Sequence, residues 1–120
     1  MNVRPRRTAR QRLDDILSAI ERIERYTHEK SFKDFVADHM LRDSVERNIE
    51  RISEASRHLP DTLIARHPEI PWRAIADIGN VFRHVYDDVD AGQTWQVVVR
   101  DLQPLKAAVS ALITGLGPNE

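Results

Sequence analysis

The segment LDDILSAIERIERY, residues Leu13 to Tyr26, decides the fold class. Its apolar side chains recur every three or four residues, which is the spacing of one face of an α-helix rather than of a β-strand. The pattern predicts an amphipathic helix from about Thr8 to Glu29. The members of this apolar stripe are Leu13, Ile16, Leu17, Ile20, Ile23 and Tyr26.

The same helical spacing continues towards the middle of the chain. Ser31 is a candidate N-cap for a long second helix that stops before Pro60, with a bend expected near Asp43. The connector that follows contains Pro68 and Pro71 and has room for one short helical turn. Because proline is favoured at the first position of a helix, we expect the next helix to begin at Pro71.

The last helix is predicted from an apolar seam that begins at Trp95 and is spaced three or four residues apart. Asp90 and Thr94 are candidates for its N-cap. Pro104 lies inside the seam, so we expect it to kink or split the helix. No segment alternates with period two over the length of a strand. The fold class is therefore predicted as all-α, an antiparallel bundle of four main helices plus a short one.

Length and composition favour a single domain over residues 1–120, with a basic arm at 1–8 and a tail at 115–120 that we expect to be flexible. The chain has no cysteine, so disulfides and thiolate chemistry are excluded. No apolar run is long enough for a membrane span or a secretory signal, and we expect a cytoplasmic protein without a membrane partner. Charge nearly cancels, with 18 Lys+Arg against 19 Asp+Glu.

Basic residues cluster near the start of the chain despite the balanced total. Two interpretations of this cluster remain open. It is either a solubilising tail or a surface that contacts nucleic-acid phosphates without regard to sequence. Its members are Arg4, Arg6, Arg7, Arg10 and Arg12.

The segment GNVFRHVYDD, Gly79 to Asp88, contains the strongest candidate for a functional site. Asn80, Arg83, His84 and Asp87 stand at i, i+3, i+4 and i+7, which gathers them on one face of a helix. Histidine titrates near neutral pH and suits proton transfer, while arginine can hold a phosphate. Tyr86 adds a hydroxyl nearby. An ordinary solvated helix face would show the same spacing, so both interpretations stay open. No spacing suits a metal or a cofactor, and we expect neither.

A resemblance to a known family bears on this choice. The segment from Leu41 to Leu105, and above all HPEIPWRAIADIGNVFRHVYDDVD from His67 to Asp90, resembles the HepT-like toxins. These are the HEPN partners of HEPN/MNT toxin–antitoxin pairs. The resemblance implies an all-α homodimer whose motif helices meet in a composite cleft. It also implies a metal-independent ribonuclease, in which His and Arg drive attack of a ribose 2′-hydroxyl on the adjacent phosphate. The implied partner is a nucleotidyltransferase (MNT) antitoxin, which in some pairs adds AMP to the motif Tyr.

The family motif carries over residue by residue, with one departure. His84 and Tyr86 match its His and Tyr, and Asn80 matches the Asn that usually follows its Arg. Gly79 stands where the motif Arg is expected, and an arginine occurs instead at Arg83. Two readings follow from this departure. Either Arg83 supplies the guanidinium, in the same protomer or to the partner's His, or the chain is a non-cleaving dimer that binds a nucleotidyltransferase or RNA. A purely structural helical bundle is a third hypothesis, and it leaves the polar face unexplained.

Overall fold

The regular structure of this protein is helical throughout the residues that the computed structural model describes, which are 7–84, 91–118 and 120. The predicted all-α class is thus confirmed. The helices are α1 (Ala9–Thr27), α2 (Phe32–Ala37), α3 (His39–Arg57), α4 (Asp61–Ile64), α5 (Trp72–His84), α6 (Ala91–Gln96), a π-helical segment (Val97–Asp101) and α7 (Leu102–Gly115).

The first helix begins directly after an N-cap at Thr8, close to its predicted start. The backbone N–H of Thr8 donates to Oε1 of Gln11 at 2.8 Å, and the N–H of Gln11 donates to Oγ1 of Thr8 at 3.1 Å. This reciprocal pair is a capping box, which satisfies two backbone donors that a helix start would otherwise leave open. The predicted first helix is confirmed to within two residues at each end.

The predicted second helix is two helices, and the expected bend near Asp43 is wrong. Ser31 caps α2 as predicted, accepting from the N–H of Asp34 at 3.1 Å. The break falls at Asp38, whose backbone is extended and whose carboxylate accepts from the N–H of Leu41 at 3.1 Å. A short acidic side chain that can cap a new helix competes with continuing the old one, and here the cap prevails.

Between α3 and α5 the chain makes a proline-bounded connection. Its one predicted helical turn is confirmed as α4, and α5 begins at Trp72, one residue later than predicted. Trp72 is buried, and its indole Nε1 donates to the carbonyl oxygen of His67 at 2.9 Å. This hydrogen bond holds the connector against the start of α5, the helix that carries the motif.

The C-terminal stretch is not split at Pro104, because α6, the π-helical segment and α7 follow one another without a non-helical residue between them. Pro104 lies in the first turn of α7, where proline is best tolerated. The residues just before α7 wind as the wider π-helical segment. Thr94 lies inside α6 and does not cap a helix, so that prediction is wrong, and Asp90 lies outside the described residues.

Helix α3 is the centre of the domain, with α1 on one side and α5 on the other, and α7 packs against α1. Lys106 Nζ and Gln103 Nε2 in α7 donate to the carboxylate of Glu24 in α1 at 2.8 and 2.7 Å. The hydrogen bond from Lys106 is the main reason that the pKa of Glu24 lies below its ordinary value. Among the described residues, none of the helices has both the length and the apolar character for crossing a bilayer. The largest fully buried side chains are Leu13, Ile16, Ile20, Ile23, Phe35, Ile49, Leu105 and Leu112.

Candidate active site

The motif residues lie at the C-terminal end of α5. The backbone is helical at Asn80, Arg83 and His84, so the predicted helical setting of these three positions is confirmed. Tyr86, Asp87 and the rest of the motif lie outside the described residues.

Gly79, the position where the family motif is expected to have Arg, lies in close contact with α3. Its backbone N–H donates to Oγ of Ser53 in α3 at 3.1 Å. The same hydroxyl donates to the carbonyl oxygen of Ala76 at 2.7 Å. A Cβ at position 79 would lie only 2.8 Å from that Oγ and 3.2 Å from the Cβ of Ser53. Glycine is therefore required by the contact between the two helices, because any side chain would have to displace the buried Ser53.

Arg57, the last residue of α3, extends its guanidinium to this same point. Its Nη2 lies 3.6 Å from where a Cβ of residue 79 would be. Its Nη1 lies 3.4 Å from Oε2 of Glu54, and 36% of the side chain remains exposed. A guanidinium thus lies beside the backbone of the motif helix even though position 79 has no side chain. Neither Ser53 nor Arg57 is predicted from the sequence, because nothing in a single sequence shows which residues of α3 face Gly79.

A groove rich in arginine opens between α1 and α3 and ends at Gly79. The cavity measures about 510 Å³. We call it the arginine groove and define it by its charged lining residues. They are six arginines and three carboxylates, namely Arg7, Arg12, Arg22, Arg47, Arg51, Arg57, Asp15, Glu50 and Glu54. Of the basic cluster noted in the sequence, Arg7 and Arg12 belong to the groove, Arg10 is exposed outside it, and Arg4 and Arg6 precede the described residues.

Each carboxylate of the arginine groove is already paired with one arginine. The guanidinium of Arg7 donates to both oxygens of Asp15, at 2.8 and 3.0 Å. Nη1 of Arg47 lies 3.5 Å from Oε2 of Glu50, and Nη1 of Arg57 lies 3.4 Å from Oε2 of Glu54.

Three guanidinium groups remain in excess. Arg12, Arg22 and Arg51 make no ion pair with any residue that the structure describes. Among the described lining residues, six positive charges against three negative ones leave a net charge of +3. The pKa of Glu54 lies below its ordinary value, first because His58 hydrogen-bonds to it and then because of the charges of Arg57, His58 and Arg12. The groove is therefore a positively charged channel that leads to the motif helix.

Comparison with known proteins finds a matching family model and several proteins of similar sequence. The model of the family described as "Ribonuclease HepT-like" matches residues 16–112. A "Probable ribonuclease HepT" of Thermococcus cleftensis is 38% identical over 89% of this chain and 97% of its own length. A "Gamma-glutamylcyclotransferase and putative RNase" of Methanocaldococcus jannaschii is 37% identical over 90% of this chain, which spans 49% of that protein. A "Putative RNase" of Caldanaerobacter subterraneus is 29% identical over 89% of the chain and 96% of its own length. No solved structure gives a significant match.

Proposed function

This chain belongs to the HepT-like ribonuclease family, and from that premise we propose that it is a toxin that cleaves RNA without a metal ion. The observation that carries the proposal is the family match, which spans residues 16–112 and so includes the whole motif helix. In the proposed assembly two copies of the chain bring their α5 helices together, and each cleft uses His84, Arg83, Asn80 and Tyr86. A nucleotidyltransferase encoded beside it would be the antitoxin.

The proposed reaction is an internal transesterification. His84 takes the proton of a ribose 2′-hydroxyl, whose oxygen bonds to the adjacent phosphorus while the bond to the 5′-oxygen breaks. The leaving 5′-oxygen gains a proton, so the products are a 2′,3′-cyclic phosphate and a 5′-hydroxyl. Arg83 would stabilise the charge that develops on the phosphate oxygens, and Asn80 would orient the reacting groups. An imidazole suits this role because its ordinary pKa of about 6.5 lies close to neutral pH.

A second function is favoured by one specific feature. Gly79 stands where the family motif has its arginine, and loss of one electrostatic stabiliser commonly costs a factor of about 10² to 10³ in rate. In this alternative the protein is a non-cleaving dimer that keeps its fold and binds the nucleotidyltransferase or RNA.

The test of ribonuclease activity uses purified protein, an end-labelled structured RNA and excess EDTA. We expect cleavage that survives EDTA and leaves 2′,3′-cyclic phosphate ends. His84→Ala, purified in parallel, serves as the blank for contaminating ribonucleases. Equal cleavage by both proteins, or cleavage that EDTA abolishes, would contradict the proposal. An inactive wild-type protein that still binds RNA or the nucleotidyltransferase would support the non-cleaving dimer.

We propose further that the nucleotidyltransferase silences the toxin by transferring AMP to Tyr86. A nucleotide on that hydroxyl would add bulk and negative charge next to His84 and repel the RNA phosphate. Incubation with the nucleotidyltransferase and ATP is expected to raise the intact mass by AMP groups and to stop cleavage. Tyr86→Phe is the matched control, since it removes only the acceptor oxygen. A mass increase that persists in Tyr86→Phe would exclude Tyr86 as the sole site.

A further inference from the structure

We propose that the arginine groove binds the phosphodiester backbone of RNA and leads it to the motif end of α5. The inference rests on the proposed function for the identity of the ligand. It goes further by placing the binding surface on α1 and α3, away from the motif itself, and by giving the RNA contact to residues that the motif does not include.

The charge of the groove is the first argument. Arg12, Arg22 and Arg51 make no ion pair among the described residues, and Arg12 and Arg22 are half-buried. The charge of Arg12 acts on the carboxylate of Glu54, which Arg57 and His58 already pair. Guanidinium groups that are partly withdrawn from water and make no ion pair provide donors for an incoming anion. Arginine binds phosphate through two parallel hydrogen bonds, which a point charge on lysine cannot reproduce.

The shape of the groove is the second argument. Arg12, near the start of α1, and Glu54, near the end of α3, both line the groove, and the charge of Arg12 acts on Glu54. The start of α1 therefore lies beside the end of α3. Arg12 and Arg22 are ten residues apart on one wall, and Arg47 and Arg57 are ten residues apart on the other. Each wall therefore presents guanidinium groups over about 15 Å. That length matches several successive phosphates of a nucleic-acid strand rather than one isolated phosphate.

The position of Arg57 connects this groove to the motif. Because Gly79 has no side chain, the guanidinium of Arg57 reaches the backbone of α5 at 3.6 Å from the missing Cβ. His84 follows five residues later on the same helix, about 7.5 Å along its axis. A phosphate bound at Arg57 would thus be held at the level where the motif residues begin.

The composition of the lining favours a polyanion over a protein partner. Among the described residues that line the groove, those that are neither charged nor Ser18 are Ala19, Ala55 and Gly79. Protein interfaces obtain most of their binding energy from large apolar or aromatic anchors, and this described lining offers none. Its walls are polar and positively charged, as nucleic-acid surfaces are.

The experiment measures RNA binding in the absence of cleavage. All proteins carry His84→Ala, and a labelled single-stranded RNA is titrated at several salt concentrations. Arg22→Gln and Arg51→Gln are each expected to weaken binding roughly tenfold. Each is also expected to reduce the slope of log K against log salt by about 0.7, the value for one phosphate contact to a single strand. Arg25→Gln is the matched control, because Arg25 is exposed on α1 outside the groove.

The outcomes separate this proposal from the proposed ribonuclease activity. The proposed RNA-binding role of the groove is wrong if Arg22→Gln and Arg51→Gln show the same RNA affinity and the same salt slope as Arg25→Gln. This holds whether or not the wild-type protein cleaves RNA. Absence of RNA binding by the His84→Ala parent would overturn it as well. If the wild-type protein binds RNA through the groove and does not cleave it, the ribonuclease proposal is wrong and the RNA-binding role of the groove is supported. Loss of nucleotidyltransferase binding in the groove variants, with RNA binding intact, would reassign the groove to a protein partner.

Discussion

Gly79→Arg is expected to destabilise the protein by more than about 3 kcal/mol and to lower RNA cleavage rather than raise it. The substitution restores the arginine that the family motif has at this position, so motif matching alone predicts the opposite result. The measurement is the free energy of unfolding in urea, followed by cleavage at a temperature where the variant remains folded.

The physical reason is the contact between α5 and α3. The first atom of any side chain at position 79 would lie 2.8 Å from Oγ of Ser53, which is fully buried. That hydroxyl also bridges the N–H of Gly79 and the carbonyl of Ala76, so moving it breaks two hydrogen bonds. Overpacking of this kind costs about 1–3 kcal/mol, and an arginine adds the cost of placing a charge against Arg57. Separation of α5 from α3 would displace the motif positions with it.

Gly115→Arg is the matched control for this prediction. Gly115 is also helical, and a Cβ there would meet nothing within 4 Å. We expect that variant to be as stable as the wild type or slightly more so, since a helical glycine is less stable than most residues by up to about 1 kcal/mol. A second control is Gly79→Ala alone and combined with Ser53→Ala. The combined variant should lose less stability than the sum of the two single ones, because the closest clash is gone. A Gly79→Arg protein of wild-type stability and higher activity would contradict the argument.

Local patterns in the sequence predicted the helices well where a single helix determines its own limits. Thr8 and Ser31 each mark a helix start through a side chain that bonds within the next three residues. The sequence predicted Ser31 as a cap and placed the start of the first helix at about Thr8. The break at Asp38 has the same chemistry but was not predicted. The apolar stripe continues across it, so the pattern alone indicates one long helix, whereas the extended backbone and capping carboxylate of Asp38 make two. Phe35 of α2 also packs on Trp95, with ring centroids 5.1 Å apart.

The functional site shows the same difference between features that lie within one helix, which the sequence reveals, and contacts between helices, which it does not. Asn80, Arg83 and His84 stand out because their spacing lies within one helix. Ser53, Arg57 and most of the arginine groove do not, because they depend on which face of α3 meets α1 and α5. Arg22, Arg47 and Arg51 look like ordinary charged positions of solvated helices when each segment is considered alone. Their shared function follows only from the packing of two helices, which a single sequence does not show.

His84→Ala is expected to lower the rate of RNA cleavage by a factor of about 10² to 10⁴, the usual contribution of a positioned general base. Arg83→Ala is expected to lower it by about 10² to 10³, because it removes the group proposed to stabilise the phosphate charge. Single-turnover cleavage in EDTA measures both effects, and circular dichroism checks the fold. Arg73→Ala is the matched control, since Arg73 is an exposed arginine in the first turn of the same helix. If Arg83→Ala is fully active and Arg57→Ala is inactive, the arginine that stabilises the phosphate charge is Arg57 of α3 rather than Arg83 of α5.

Mixing the two inactive variants tests whether Arg83 serves the His84 of the partner protomer. In a two-fold dimer, a heterodimer of His84→Ala and Arg83→Ala contains one complete site if arginine and histidine come from different protomers, and none if they come from the same one. An equal mixture that exchanges subunits freely makes half of its dimers mixed, and each mixed dimer has one working site out of two. The expected recovery is therefore about a quarter of the wild-type rate. No recovery, despite subunit exchange demonstrated with two differently tagged copies, would place both groups in one protomer. Adjacent positions on a helix point about 100° apart, so in that case the phosphate would have to lie between the two side chains.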